Sequence, residues 1–158
     1  MENTILGLHH ITAIAGNAKR NYDFYTGVLG LRLVKKTVNF DDPHTYHFYY
    51  GDTIGTPGSI LTFFPWEHIQ TGRRGTRQAT EIGYSVPSNS LEFWQQRLKN
   101  KGVEPDGIAE RFGEQYLAFA DPDGLKIDLI ASEKDDRLPW ETNDVGAEHA
   151  TVELLHRR

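Results

Sequence analysis

The stretch that decides the fold is GLHHITAIAGNAKRN, residues 7–21. It begins as a run rich in apolar and β-branched residues, breaks at a glycine–asparagine pair, and continues as a polar pattern. The β-branched content predicts a strand over residues 8–15, and the pair that follows is typical of the turn that ends a strand. His9 and His10 lie side by side in this strand, so strand alternation sends them to opposite faces of a sheet.

A helix and three strands are predicted after the first strand. Ala18, Tyr22, Tyr25 and Leu29 recur at the spacing of one helical stripe, which predicts a helix over residues 18–29. Gly30 stands where a C-cap glycine belongs. The runs DDPH and GDTIGTPG are turn-forming clusters. They separate three predicted strands, at residues 31–40, 45–50 and 59–64.

The same order of elements begins again in the second half of the chain. A strand is predicted over residues 79–86, and a serine or asparagine of the following PSNS is available as a helix N-cap. The helical stripe is formed by Leu91, Trp94 and Leu98 and ends at Gly102. Further strands are predicted over residues 107–112, 115–120 and 125–131, with DPDG as the hairpin turn between the last two.

The repeat predicts an α+β fold of paired βαβββ modules. Module one covers about 5–66 and module two about 78–131, with an offset of about 71 residues if His10 is placed on Glu81. Each helix is expected to cover one face of its own sheet, which leaves the other faces to form a shared cleft. A small-molecule site is expected in that cleft.

The remaining segments are polar. The loop TGRRGTRQ joins the modules, and its Arg73 and Arg74 are interpreted as solvated, with attraction of an anionic substrate as the alternative. Residues 132–158 are predicted to form a tail or linker after a single domain of residues 5–131. Trp140 and residues 152–155 could dock on the domain.

Composition excludes several classes of function. The chain has 158 residues, a net charge of −5 and no cysteine. The charge argues against nucleic acid or an anionic membrane as the partner, and the lack of cysteine removes disulfides and thiol chemistry. The N-terminus lacks the features of a signal peptide, and no apolar run approaches the ~20 residues of a membrane span. We therefore expect a cytoplasmic protein that binds a small molecule.

The repeat and four runs of sequence resemble a known superfamily. The runs are HHITAIAG, DFYTGVLGLRLVKKTVNFDDP, TYHFYYGD and DPDGLKIDLI. Residues 5–131 resemble the vicinal oxygen chelate superfamily, which contains glyoxalase I, extradiol dioxygenases and the fosfomycin and bleomycin resistance proteins. The chain is most similar to the amino-terminal half of two-domain ring-cleaving dioxygenases of the hydroquinone type.

The resemblance implies a curved mixed sheet around a divalent metal that binds two neighbouring oxygens of the substrate. The positions that match the family's ligands are His10, Glu81 and Asp128. A typical member has histidine at the second position and glutamate at the third, so this chain departs from the pattern at both. Fe(II) is the metal implied, with Mn, Zn or Ni as alternatives. Each residue also has an ordinary interpretation, as a strand histidine with a local partner or a solvated carboxylate.

The family's two-domain members are about twice as long as this chain. His10 is therefore interpreted as a half-site, which is completed in a homodimer or by pairing with a second domain of the superfamily. In a dimer, His10 of one chain would meet Glu81 and Asp128 of another.

His47 and Tyr49 are the candidate catalytic residues. Because they are two residues apart, they share one face of the predicted strand. There they could transfer a proton of a small aromatic substrate or stack on its ring. Packing within the aromatic run TYHFYY is the alternative role.

The sequence thus predicts a metal-dependent, extradiol-type ring-cleaving dioxygenase module that acts on a small aromatic diol. The alternatives are a non-catalytic small-molecule-binding or resistance protein of the same fold, or a truncated half of a two-domain enzyme. A glyoxalase-type lyase is less favoured.

Overall fold

The structure is a computed structural model that describes residues 7–70, 72, 73, 75, 76, 78–133, 139–151 and 154–156. Its first half contains β1 (His10–Ala15), α1 (Ala18–Tyr22), a π-helical segment (Asp23–Val28), β2 (Arg32–Val38), β3 (Tyr46–Gly51) and β4 (Ile60–Pro65). Its second half contains β5 (Glu81–Pro87), α2 (Leu91–Asn100), β6 (Ile108–Arg111), β7 (Glu114–Ala120), β8 (Lys126–Ser132) and β9 (Leu154–His156).

Two mixed sheets repeat one topology. Sheet one has the order β1-β4-β3-β2, with β1 parallel to β4 and the other pairs antiparallel. Sheet two has the order β6-β7-β8-β5-β9, in which β5 is parallel to β8 and β9 lies antiparallel along the other side of β5. The predicted α+β fold of two βαβββ modules is confirmed.

Strand alternation separates a core face from an open face in sheet one. Leu61 and Phe63 of β4 and Phe48 and Tyr50 of β3 are buried on the core face. On β1 the exposed positions begin at His10 and recur at every second residue. The open face therefore carries the side chains that are available for binding.

The predicted helix at residues 18–29 divides into an α-helix and a π-helical segment. Asn17 caps its start by accepting a 2.9 Å hydrogen bond from the Arg20 amide. From Asp23 the bonding becomes i→i+5, as in the 3.1 Å bond from the Leu29 amide to the Phe24 carbonyl. Tyr22, predicted on the buried stripe, is 43% exposed, whereas Tyr25 and Leu29 of the same stripe are buried.

The second helix begins at the predicted place without the predicted side-chain cap. Ser90 occupies the N-cap position of α2, but its hydroxyl donates a 2.6 Å hydrogen bond to the Pro87 carbonyl and accepts none from a backbone N–H of the first turn. The helix is amphipathic, and Trp94 and Leu98 are fully buried. Among the described residues, no helix combines the length and the apolar character that crossing a membrane requires.

The two modules are joined on their helical side. Arg97 of α2 is buried, and its guanidinium donates to the carbonyls of Val28 (2.8 Å) and Gly27 (3.0 Å) at the end of the π-helical segment. Arg20 of α1 forms an ion pair with Asp123 in the DPDG turn. These contacts leave the open faces of the two sheets outside the interface.

The segment after residue 131, expected to be a tail or linker, packs on both modules where the structure describes it. The ring of Trp140 lies 5.2 Å from the guanidinium carbon of Arg32, so its expected docking is observed. Val145 is buried, and the Trp94 indole donates a 2.8 Å hydrogen bond to the His149 carbonyl. Strand β9 then extends sheet two, whereas residues 152 and 153 of the predicted docking run lie outside the described residues.

Candidate functional site

The open face of sheet one gathers polar and aromatic side chains across four strands. Thr12 on β1, Thr62 on β4, Tyr49 on β3 and Lys35 on β2 form one row in the register of the sheet. The Thr62 hydroxyl donates a 2.9 Å hydrogen bond to the Thr12 hydroxyl. The Lys35 ammonium lies 5.4 Å from the centre of the Tyr49 ring. The face thus combines hydrogen-bonding groups, a cation and an aromatic surface.

His47 lies within this face in an aromatic stack. Its ring centre is 4.2 Å from that of Tyr49 and 4.0 Å from that of Phe64. Its Nδ1 is 2.9 Å from the Tyr49 hydroxyl, whereas its Nε2 is buried and has no hydrogen-bond partner in the described part of the chain. Such an unsatisfied nitrogen is costly to leave without a partner. A ligand hydroxyl would supply one.

The surroundings of His47 favour its neutral form. Burial lowers the pKa of this imidazole, and the nearby His10 and Lys35 lower it further. A neutral imidazole carries one N–H donor and one acceptor nitrogen. His47 can therefore exchange a proton with a hydroxyl near neutral pH.

His9 and His10, expected on opposite faces, instead interact directly, because β1 begins only at His10 and strand alternation does not govern His9. Their Nδ1 atoms are 3.0 Å apart and their rings are nearly perpendicular, and both side chains are exposed. One Nδ1 must donate and the other accept. In the neutral pair, the ring that donates through Nδ1 has an unprotonated Nε2, which is the form that binds a metal.

Glu81 and Asp128 lie on sheet two and are bridged by a cation that the sequence analysis did not identify. The Arg111 guanidinium contacts Asp128 Oδ2 at 2.5 Å through Nη2 and Glu81 Oε2 at 3.5 Å through Nη1. Asp128 is 1% exposed, although it lies on the open side of the sheet. The side chain of Arg111 reaches these carboxylates from β6, across the ring of Tyr116 on β7.

The predicted site residues thus form two groups. His10, His47 and Tyr49 lie on sheet one, Glu81 and Asp128 lie on sheet two, and no described contact joins the groups. Within the described ranges, no three side chains of histidine, aspartate or glutamate come together as a metal site. A groove of about 660 Å³ is lined by Ala18 and by residues in the segments 42–46 and 65–69, all outside module two. This groove is therefore not the cleft between the two modules that the sequence analysis predicts.

Several residues of these groups were missed by sequence reasoning. Thr62, Phe64 and Lys35 could have been found from strand alternation, because each lies on the face of its strand that meets Tyr49 or His47. Arg111 gave no local signal, since its partners are 17 and 30 residues away in sequence. Arg73 is exposed, as expected for a solvated loop, and Arg74 lies outside the described residues.

Comparisons with known proteins place this geometry in context. The model of the Glyoxalase/Bleomycin resistance protein/Dioxygenase superfamily matches residues 7–129. A Bacillus subtilis protein assigned as a ring-cleaving dioxygenase, MhqO, is 48% identical over 145 residues, which cover 92% of this chain and 46% of that protein. The chlorohydroquinone/hydroquinone 1,2-dioxygenase of Sphingobium indicum is 38% identical, over 91% of this chain and 46% of that enzyme.

A solved structure gives the same relationship in three dimensions. The crystal structure of a Bacillus subtilis protein assigned as a dioxygenase superposes with a TM-score of 0.89 at 46% identity. The match covers 94% of this chain and 48% of that one. The chain therefore spans about half the length of these relatives.

Proposed function

Because the chain belongs to the Glyoxalase/Bleomycin resistance protein/Dioxygenase superfamily, we propose that it is a module of a metal-dependent ring-cleaving dioxygenase acting on a small aromatic diol. The observation that carries the proposal is the open face of sheet one, where the buried Nε2 of His47 has no described partner beside an aromatic wall. The relative whose name includes hydroquinone supports the class of substrate.

The face suits a planar phenolic ring. Tyr49 and Phe64 flank His47 with ring centres about 4 Å away, and a substrate ring can extend this stack in an offset or edge-on arrangement. A substrate hydroxyl would hydrogen-bond Nε2 of His47. In the tautomer whose Nδ1 donates to Tyr49, Nε2 is the base that takes the hydroxyl proton. Lys35 then stabilises the phenolate, because its ammonium lies on the same face.

His10 is the proposed metal ligand of this module. It is exposed at the start of β1, and its contact with His9 fits the ligand tautomer if His10 donates through Nδ1. His9 would then act as a positioning residue that holds this tautomer. A divalent metal, proposed to be Fe(II) with Mn, Zn or Ni as alternatives, would bind two substrate oxygens and act as a Lewis acid.

The described residues hold no set of three ligands, and a second module is the proposed source of the others. Glu81 and Asp128, predicted as ligands, would have to release Arg111 first. We propose that a second module of the same fold docks beside β1, which is an edge strand of sheet one. The corresponding edge of β5 already carries β9, so sheet two shows how such an edge is extended. The second module would be part of another copy of the chain or of a longer polypeptide.

The proposal is tested by metal content, oxygen uptake and molecular mass together. Protein loaded anaerobically with Fe(II) should consume oxygen when hydroquinone or catechol is added. His10→Ala should abolish both metal binding and uptake, and His47→Gln should lower uptake by about 10²–10⁴-fold with metal retained. Lys99→Ala, an exposed substitution on α2, is the control. Metal binding that is unaffected by His10→Ala would refute the ligand assignment.

Sedimentation distinguishes the two sources of the second module. A dimer that binds metal and turns over substrate would show that a second copy completes the site. A monomer that becomes active only when a separate second module of the same fold is added would show that the second module belongs to a longer polypeptide. A dimer without metal and without uptake would contradict the proposal.

A non-catalytic binding protein is the second candidate. It is favoured by the lack of a three-ligand metal group among the described side chains, together with the aromatic surface around His47. In that case a phenolic ligand should raise the melting temperature equally with and without EDTA. Stabilisation that disappears in EDTA would exclude this candidate.

A further inference from the structure

We propose that the Arg111 guanidinium is the resident cation of sheet two and that it excludes metal ions from the Glu81 and Asp128 carboxylates. The two carboxylates match the ligand positions that the superfamily resemblance assigns to module two, yet they already hold a positive charge. The disagreement between the expected ligand set and the observed ion pairs is the basis of this inference, which does not depend on dioxygenase activity.

The repeat shows that these positions correspond to the site of module one. His10 is the first residue of β1, as Glu81 is of β5, and Thr62 and Asp128 are the third residues of β4 and β8. In both modules the two strands are parallel neighbours. Module one thus has an imidazole and a hydroxyl where module two has two carboxylates. Only the second set needs a cation to balance it.

Burial explains why that cation has to be permanent. Asp128 is 1% exposed, and a buried carboxylate is strongly unfavourable without an opposite charge. Arg111 forms an ion pair with it through Nη2, and a charge-assisted hydrogen bond of this kind is stronger than one between neutral groups. A guanidinium is always charged and is tethered to the chain, so any metal ion has to compete with a cation of high effective concentration at this position.

The path of the Arg111 side chain also explains how it keeps metal ions away from the two carboxylates. It crosses the open face from β6 over Tyr116, whose ring centre lies 4.8 Å from the guanidinium carbon. It then reaches Asp128 on β8 and Glu81 on β5. A metal ion bound between these two carboxylates would have to displace the guanidinium from both ion pairs and from the aromatic ring.

Substitution of Arg111 in a His10→Ala background tests the inference, because that background removes the proposed site of module one. Arg111→Met should lower the melting temperature in EDTA by roughly 5–15 °C. Millimolar Mn²⁺ should restore much of this loss, and calorimetry should show one bound Mn²⁺ per chain. Arg111→Lys retains a cation and should show neither the gain of Mn²⁺ binding nor the metal-dependent stability.

Two results would overturn the inference. One is an Arg111→Met protein that folds but gains no Mn²⁺ site. The other is a His10→Ala protein with Arg111 intact that binds Mn²⁺ and loses this binding when Glu81→Gln is added, because the carboxylates would then bind metal despite the guanidinium. This second measurement remains available if the Arg111→Met protein does not fold. Failure of the dioxygenase proposal would appear instead as a lack of oxygen uptake in protein with His10 present.

Discussion

The Tyr25 hydroxyl donates a 2.9 Å hydrogen bond to Asp121 Oδ2, which joins the π-helical segment of module one to the DPDG turn of module two. The Tyr25 ring is fully buried and lies 4.6 Å from the Phe63 ring on the core face of sheet one. Burial and the neighbouring Asp121 charge raise the pKa of Tyr25 well above its usual range, so the hydroxyl remains a donor. Burial also raises the pKa of Asp121.

Replacing Tyr25 with phenylalanine should destabilise the protein by about 1–2 kcal/mol, because Asp121 Oδ2 loses its donor inside the interface. Urea denaturation measures the change. Tyr22→Phe is the control, since Tyr22 is exposed on the preceding turn and should stay within about 0.5 kcal/mol of the parent. Equal effects of the two substitutions would show that the Tyr25–Asp121 bond contributes little.

Gly30→Ala should destabilise the protein by about 1–2 kcal/mol. Gly30 has a φ of +71°, and an added Cβ would lie 3.2 Å from Cγ2 of Val145. Gly27→Ala is the matched control in the preceding turn, where a Cβ meets nothing within 4 Å. It should be neutral or slightly stabilising. Thermal melts compare the pair, and a destabilised Gly27→Ala protein with a normal Gly30→Ala protein would contradict the helix end described above.

Phe112→Asn should stabilise the protein by about 0.5–1 kcal/mol. Phe112 has a φ of 57° at the tip of the β6–β7 hairpin, directly before Gly113 at 79°, and its side chain is 85% exposed. Asparagine tolerates this left-handed conformation far better, and little packing is lost. Phe112→Val should act in the opposite direction because a β-branched residue is less tolerant there. Denaturation midpoints that rise for valine would disprove strain at this position.

Acidification should destabilise the protein partly through His47. Burial lowers the pKa of His47 below its ordinary value of 6.5, so the unfolded chain binds the proton more readily. The contribution of this residue is therefore present above about pH 6.5 and is lost as the pH falls through the folded-state pKa. When the pH is lowered from 8 to 5, the melting temperature of the His47→Gln protein should fall less than that of the parent. Thr12→Ser, which changes a residue of the same face that does not titrate, should follow the parent curve.

The order and type of the elements could be read from the sequence because local signals agreed with the fold. The strand expected at 79–86 is observed as β5, and the helix from Leu91 ends at Asn100, two residues before Gly102. The π-helical segment could not be foreseen, since it follows from packing Phe24 and Tyr25 together against both modules. Propensity does not encode such a tertiary requirement.

The candidate site was only partly accessible to sequence reasoning for a similar reason. Alternation predicted that His47 and Tyr49 share a face, and their side chains are in contact. The pairing of Glu81 and Asp128 with Arg111 depends on the order of four strands in sheet two, which brings β6 within reach of β5. The pairing of charged side chains on a sheet therefore depends on the order of the strands rather than on which residues are adjacent in sequence.

The i→i+5 bonding of Asp23–Val28 also fixes the length of the chain at this point. Deleting one residue without a change of this bonding would turn everything after it by roughly a quarter of a turn around the helix axis. Leu29 would leave the core, and Gly30 would lose its fit against Val145. Homologous chains that keep the π-helical segment should therefore differ here by substitutions and should have no insertions or deletions in it.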